Sequence, residues 1–138
     1  MFPSNMALVK LASVGGILTV TMGLAYRWQV NKRVCEFEPY RATFKIVRAH
    51  KGAVELLGEP IKDKLVDIGN TEKNYTKDLA AQYEVPVSGT KQRGTVYFWA
   101  DREGIDKPWK ISRIELGLKD EPERRLLISG GVDVKNVL

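Results

Sequence analysis

An apolar run near the N-terminus is the feature that most limits what this chain can fold into. Between Ala7 and Tyr26 the only charged residue is Lys10, close to one end of the run. Twenty residues of helix, at 1.5 Å per residue, cover the roughly 30 Å hydrocarbon core of a bilayer. The run has no polar face to turn towards water, as a helix of a soluble domain normally has. The sequence therefore predicts a transmembrane helix over residues 7–28, after an N-terminal tail of residues 1–6.

A cleaved secretory signal is the main alternative for this segment, because Gly23-Leu24-Ala25 offers the small residues of a cleavage site. We favour a retained anchor. The stem of Lys10 can carry its charge to the headgroups at one boundary. Tyr26 and Trp28 are interfacial aromatics at the other boundary.

Small residues recur within the predicted span at i, i+4, i+7 and i+11, and so fall on one narrow stripe: Ala12, Gly16, Thr19 and Gly23. Small residues on one face allow a second helix to approach closely in lipid. Glycine and alanine are also common in spans, so chance placement is an equal alternative. We expect the stripe to pack against the helix of a partner.

Basic residues collect just after the apolar run and are not spread over the chain. Residues 1–35 contain no Asp or Glu, and residues 27–51 contain seven Lys/Arg and two Glu. Residues 52–138 contain fourteen Lys/Arg and fifteen Asp/Glu. We interpret Arg27, Lys32 and Arg33 as a membrane-surface basic collar that suits anionic lipid, at the junction of the span with a basic juxtamembrane linker, residues 29–36. A protein that binds nucleic acid would carry its basic patch on the folded part, so no nucleic acid is expected.

The remaining residues predict one α+β domain, residues 37–130, followed by a short tail, residues 131–138. Apolar residues at helical spacing indicate an amphipathic helix over residues 36–58, which Gly58 and Pro60 then end. Beyond it, alternating and β-branched segments predict an antiparallel β-meander of about five strands packed on the helix. The predicted strands are residues 62–70, 79–88, 95–100, 109–118 and 124–129. A shift of the apolar phase near Ser112 and Arg113 indicates a β-bulge.

Residues that carry chemistry are scarce in this sequence. His50 is the only histidine and Cys35 the only cysteine, so neither belongs to a recognisable metal-ligand pattern. The sequence has no nucleophile elbow, phosphate-binding loop or dinucleotide fingerprint. We therefore predict a protein that is not an enzyme and has no cofactor, metal or small-molecule substrate.

Three short motifs, in this order behind an N-terminal span, resemble the family of mitochondrial cytochrome c oxidase assembly factor 1 and translocase Tim21. They are Leu57-Gly58-Glu59-Pro60, then Val85-Pro86-Val87-Ser88-Gly89-Thr90-Lys91 with Gly94, and Trp109 with Ile114-Glu115-Leu116-Gly117-Leu118. The resemblance covers roughly residues 37–130 and is closest to the short metazoan assembly-factor form. The family-motif residues that we single out are Leu57, Gly58, Pro60, Pro86, Ser88, Gly89, Lys91, Gly94, Trp109, Leu116 and Leu118.

The resemblance implies a single-pass protein of the mitochondrial inner membrane with its domain in the intermembrane space. It implies binding to subunits or assembly intermediates of cytochrome oxidase, and of complex I in animals. The alternatives are a stoichiometric accessory subunit of a respiratory complex and a Tim21-like subunit of the import translocase. Charge alone favours the opposite orientation, because Lys and Arg after the span outnumber those before it. We follow the resemblance, since this rule is a bias set by a few charges.

Overall fold

The computed structural model describes residues 4–138, apart from the side chain of Pro122. Residues 1–3, half of the predicted N-terminal tail, lie outside the described residues. The chain divides into two compact units, one ending at Arg33 and the other comprising Val34–Leu138. The first unit is helical, and the second contains further helices and an antiparallel sheet. This arrangement confirms the predicted α+β class.

Helix α1, Asn5–Glu36, is 32 residues long and has no buried residue. Its most apolar window has a mean hydropathy of 1.7, so by length and composition α1 can cross a membrane. The helix also contains residues 29–36, which we predicted to be a linker. No glycine or proline occurs between Gly23 and Pro39, so the sequence offers nothing that would interrupt the helix there.

Two helices, α2 (Glu38–Ala49) and α3 (Lys51–Leu57), replace the single helix predicted for residues 36–58. The break falls at His50, whose backbone is extended. Its ring Nδ1 accepts a hydrogen bond from the backbone N–H of Ala53 at 3.2 Å, so His50 is the N-cap of α3. Pro39 occupies the first turn of α2, where its missing N–H costs no hydrogen bond.

The sheet contains seven antiparallel strands, with the order β1-β3-β4-β5-β6 along its main path. The four long strands are β3 (Ala80–Ser88), β4 (Arg93–Asp101), β5 (Lys110–Leu118) and β6 (Glu121–Ser129). The two-residue strands β1 (Lys62–Asp63) and β2 (Tyr75–Thr76) border β3, and β7 (Val132–Asp133) pairs with β5. Consecutive long strands are neighbours, so the predicted meander is confirmed.

The predicted β-bulge is present between β4 and β5. Trp99 pairs with Arg113 and Ala100 pairs with Ile111, which leaves Ser112 as the extra residue. Because of this extra residue, both Ile111 and Ile114 point into the core. The phase shift in the sequence therefore located the bulge.

The strand predicted for residues 62–70 was wrong beyond Asp63. Leu65, which the predicted strand includes, is 56% exposed, whereas Val66 is buried. The segment leaves the sheet because the backbone N–H of Lys64 makes the last bond to Pro86, and turns follow. The predicted tail also differs: it contributes β7 and a short 3-10 helix, Val134–Asn136, whose Val134 is buried.

The core of the folded unit lies between helices α2 and α3 and one face of the sheet. Alternate residues of β3 and β4 point into it, as the period of two predicted. Tyr40, Phe44 and Val47 of α2 and Leu57 of α3 supply the helical side. Phe98, at the centre of β4, is completely buried and stacks on Tyr83 with ring centroids 5.6 Å apart.

Candidate interaction surfaces

The loop between β3 and β4, residues 89–92, caps the C-terminal end of α3. The backbone N–H of Lys91 donates to the Leu57 carbonyl at 2.8 Å, and its ammonium donates to the Glu55 carbonyl at 2.9 Å. The side-chain amide of Gln92 donates to the Leu56 carbonyl at 2.6 Å. Carbonyls at the end of a helix have no partner within it, and a cation there also interacts favourably with the helix dipole. The hairpin therefore supplies partners that α3 itself lacks.

Two glycines allow this close approach. Gly58 has a φ of +84°, in a region that other residues rarely adopt. A Cβ on Gly89 would collide with the carbonyl oxygens of Leu57 and Gly58. The first two family motifs thus meet at one junction, where they hold the hairpin against the end of the helix.

Three further family-motif residues contribute to the architecture as well. Leu116 is buried in the core, Leu118 packs against it, and Trp109 is 8% exposed. The Trp109 ring lies edge-on to Phe37 at 5.3 Å and beneath the Arg102 guanidinium at 4.5 Å. These contacts give the family-motif residues a role in holding the fold together.

No other element of the unit Val34–Leu138 covers the opposite face of the sheet, and we call it the open face. Its residues carry unusually large side chains for a solvated surface. They are Gln82, Glu84, Tyr97, Trp99, Arg113, Glu115, Arg125 and Leu127. Leu127 is 51% exposed. Tyrosine, tryptophan and arginine are the residue types that dominate binding energy in protein interfaces.

The open face is ordered by its own contacts. Glu115 accepts from Arg113 at 2.9 Å and lies 3.9 Å from Arg125. The Arg125 guanidinium lies 3.9 Å from the centre of the Tyr97 ring. The indole N–H of Trp99 donates to Gln82 at 3.0 Å. The aromatic and arginine side chains are therefore held in place before any partner arrives, which lowers the entropic cost of binding.

A groove of about 710 Å³ lies on the other side of the folded unit, along α2. Its one acidic side chain, Asp63, accepts from the Tyr40 hydroxyl at 2.5 Å and from Arg48 at 3.1 Å. Burial, and then the hydrogen bond to Asp63, raise the pKa of Tyr40 above its ordinary value. Burial also raises the pKa of Tyr83, although its hydrogen bond with Thr76 lowers it in part.

The raised pKa values of Tyr40 and Tyr83 predict that the folded unit loses stability at alkaline pH. Both pKa values are higher in the folded state, so the stabilisation is fully present below the ordinary tyrosine pKa of about 10. Above that pH the unfolded chain ionises first, and each tyrosine lowers the free energy of unfolding by up to about 1.4 kcal/mol per pH unit. Urea unfolding of the chain in mild detergent between neutral pH and pH ~11 measures this slope. We expect Tyr40→Phe to make it shallower, because the substitution removes one of the two groups whose pKa is raised.

The predicted stripe and collar both lie on α1. The side chains of Thr19 and Thr21 are hydrogen-bonded to the carbonyls of Gly15 and Ile17. A Cβ on Gly16 or Gly23 would meet no described atom within 4 Å. Of the collar residues, Lys32 lies 5.6 Å from the centre of the Trp28 ring. The packing role of the stripe and the lipid contact of the collar both stay predictions.

Sequence reasoning missed the open face and the groove. The aromatic residues on both sides of β4 indicated a central strand, and one helix was predicted to cover one face of the sheet, but the other face was not singled out as a contact surface. The available signal for the open face is the charged residues on the two strands that follow β4. Arg113, Glu115 and Arg125 pair there beside Tyr97 and Trp99. For the groove, the available signal is the spacing of Arg41, Lys45 and Arg48 on one face of α2.

The chain thus combines a sheet with one uncovered face and, among residues 4–138, one helix that is long and apolar enough to span a membrane. These features define an α+β protein with one candidate membrane helix and an uncovered sheet face that is suited to contact with a partner. The family model described as cytochrome oxidase complex assembly protein 1 matches residues 11–127. The chain belongs to that family, whose members are assembly proteins and not enzymes.

A human relative, cytochrome c oxidase assembly factor 1 homolog, is 31% identical over 84 residues. The match covers 59% of this chain, and it spans 55% of the length of the human protein. No solved structure matches this chain. Within residues 4–138 no group of three or more His, Cys, Asp or Glu side chains is arranged to hold a metal ion.

Proposed function

We propose that this chain is a single-pass protein of the mitochondrial inner membrane that assists the assembly of cytochrome oxidase by binding its subunits, without turnover. The observation that carries the proposal is the extent of the family match. It begins inside α1 and ends inside β6, so the apolar helix and the sheet belong to one family unit. We further propose that the folded unit lies in the intermembrane space, which rests on the family resemblance and not on the charges beside the span.

The open face is the surface that we propose for contact with the client subunit. It presents two aromatic side chains, two arginines and the exposed Leu127, all on rigid strands. A tether to the membrane confines this surface to the plane in which subunits of the oxidase are inserted. Such confinement raises the effective concentration of the two partners without any new contact.

Complex I is a finer expectation that came from the resemblance alone. Neither the family model nor the human relative names it. The proposed client is therefore cytochrome oxidase, and co-isolation of complex I subunits would extend the proposal.

Removal of the chain from cells tests the proposed function. We expect less assembled cytochrome oxidase on native gels, together with accumulation of its early subunits, and recovery when the chain is restored. An unchanged amount of assembled oxidase, with the chain verifiably absent, would contradict the proposal.

The open face gives a sharper prediction. Leu127→Glu adds a charge to the proposed interface, on its edge strand β6, and loss of one strong interface contact lowers affinity about tenfold. We expect about tenfold less cytochrome oxidase subunit to be isolated with the tagged chain. The matched control is Leu65→Glu, because Leu65 is exposed to a similar degree, 56% against 51%, and lies in a loop away from the open face. Equal recovery with both variants would rule out the open face as the contact surface.

The small-residue stripe of α1 leads to a separate prediction. Gly16→Leu together with Gly23→Leu places two large side chains where a partner helix would approach, and no described atom of the chain itself stands in their way. We expect about fivefold less partner protein to be isolated with this variant, since close helix packing in lipid depends on small residues.

Its control uses the opposite side of the same helix. At 3.6 residues per turn, Thr21 and Ala25 face away from the stripe. Thr21→Leu with Ala25→Leu adds side chains of similar size there and should leave partner recovery unchanged. If both pairs of substitutions have the same effect, or neither has any, the stripe is a chance pattern.

A further inference from the structure

The groove along α2 is a concave surface of the folded unit that is lined by more basic than acidic side chains. Arg41, Lys45 and Arg48 lie at i, i+4 and i+7 and are all exposed. All three line the groove, with Asp63 as the one acidic side chain among its lining residues. Three like charges on one helix face repel one another, which disfavours the helix slightly in water. An anionic ligand in the groove would remove this repulsion.

Most of the positive charge in the groove remains available for a ligand. Asp63 is occupied by Tyr40 and Arg48, whose guanidinium is 3.1 Å from its carboxylate. Lys45 donates one ammonium hydrogen to the Val137 carbonyl at 2.6 Å. An ammonium group has three hydrogens, so two remain for a ligand. The Arg41 side chain is exposed at the mouth of the groove, and its flat guanidinium suits phosphate oxygens.

The last turn of α1 lines the same groove through Cys35. Cys35 lies seven residues beyond the interfacial Trp28 in the chain, a separation of at most about 25 Å. The headgroup layer on each side of a bilayer is about 5–8 Å thick. Charges at the surface act over a Debye length of about 8 Å at physiological salt. The short connection therefore keeps the groove close to the membrane surface.

From this charge and this position we propose that the groove of Arg41, Lys45 and Arg48 binds the phosphate headgroups of anionic phospholipids. The inference rests on the proposed function in one respect, namely that α1 is inserted in a membrane. Lipid binding here gives the folded unit a second attachment to the bilayer besides the chain itself. Each basic residue near an anionic surface contributes about a fivefold gain in affinity.

Hydrogen exchange of the full chain in lipid nanodiscs tests this proposal. The chain is reconstituted in phosphatidylcholine alone or in phosphatidylcholine mixed with phosphatidylglycerol, and exchange is followed for the amides of α2. We expect exchange to be at least about fivefold slower with the anionic lipid, as the charge contribution predicts. Raising the salt concentration should abolish the difference.

The variant Arg41→Glu with Lys45→Glu should remove the effect of the anionic lipid. Both side chains are exposed, and far-UV circular dichroism in zwitterionic discs verifies that the variant is folded. The matched control, Arg93→Glu with Lys110→Glu, changes two exposed cations on the strands and should keep the effect.

Several results would overturn the proposal. The first is equal exchange of the α2 amides in the two kinds of disc. The second is an equal loss of the anionic-lipid effect in the α2 variant and in its matched control. The third is full protection of the α2 amides by inorganic phosphate in detergent, with no further protection from lipid. Loss of a bound protein in the α2 variant, with no response to lipid, would assign the groove to an acidic protein segment instead. Failure of the chain to enter any disc would contradict the proposed function itself, and is distinguished by flotation before exchange begins.

Discussion

The variant Gly89→Ala is expected to lower the free energy of unfolding by about 3 kcal/mol, the upper range for adding a methyl group to a tightly packed site. The added Cβ collides with the backbone carbonyls of Leu57 and Gly58, and backbone cannot move aside as a side chain can. The hairpin must then withdraw from α3, which weakens the hydrogen bonds from Lys91 and Gln92 to the helix end. Thermal unfolding in mild detergent, followed by circular dichroism, should show a midpoint lower by about 10–20 °C.

The control for this variant is Gly130→Ala. A Cβ on Gly130 meets nothing within 4 Å among the described atoms, and its φ lies outside the left-handed region. We expect a change within about 0.5 kcal/mol, as for surface substitutions in general. If Gly89→Ala and Gly130→Ala unfold at the same temperature, the junction between the hairpin and α3 does not hold the fold together as described.

The second large effect is expected in α1. Ile17→Lys with Leu18→Lys places two charges near the middle of the predicted span, too far from either boundary for their ammonium groups to reach water. Each charge costs about 2.5–3.5 kcal/mol at the centre of a membrane helix, so the pair lowers the inserted fraction by several powers of ten. The chain is synthesised in a cell-free system with liposomes and then extracted with alkaline carbonate. We expect the wild-type chain in the pellet and the variant in the supernatant.

Exchanging the same two residues, Ile17→Leu with Leu18→Ile, keeps the apolar character and is the matched control. It should remain in the pellet with the wild-type chain. Recovery of the dilysine variant in the pellet would mean that α1 is not the part of the chain that holds it in the bilayer.

The sheet could be predicted from the sequence in some detail. Alternation in β3 assigned Tyr83 and Val85 to the core, and both are buried. The shift of phase near Ser112 located the bulge. These predictions succeeded because each strand lies against one apolar layer, so the identity of a residue reports which face it occupies.

The helix break at His50 and the early end of β1 could not be predicted in the same way. The sequence from 38 to 57 keeps an apolar face throughout, and only the capping bond from Ala53 to the His50 ring distinguishes two helices from one. Leu65 looked like a core residue by type, but Val66 occupies the core position. Both outcomes depend on tertiary contacts, which override local preference.

The candidate surfaces could be predicted only in part. The family-motif residues were found from the sequence, but their role was not, because Gly58 and Gly89 meet only when the chain is folded. The open face depends on the pairing of β4 with β5 and of β5 with β6, which brings Arg113 and Arg125 to Glu115. The register, which sets the residues that pair between neighbouring strands, decides that arrangement, and it cannot be read directly from the sequence.

Native-gel complexome profiling of mitochondria in mild detergent is the measurement that tests the central claim most directly. It follows the migration of this chain and of the cytochrome oxidase subunits in the same gel by mass spectrometry. The account predicts that the chain migrates with oxidase intermediates that lack the late-joining subunits, and is absent from the finished complex. Constant stoichiometry in a mature respiratory complex, or migration with the presequence translocase, would contradict it.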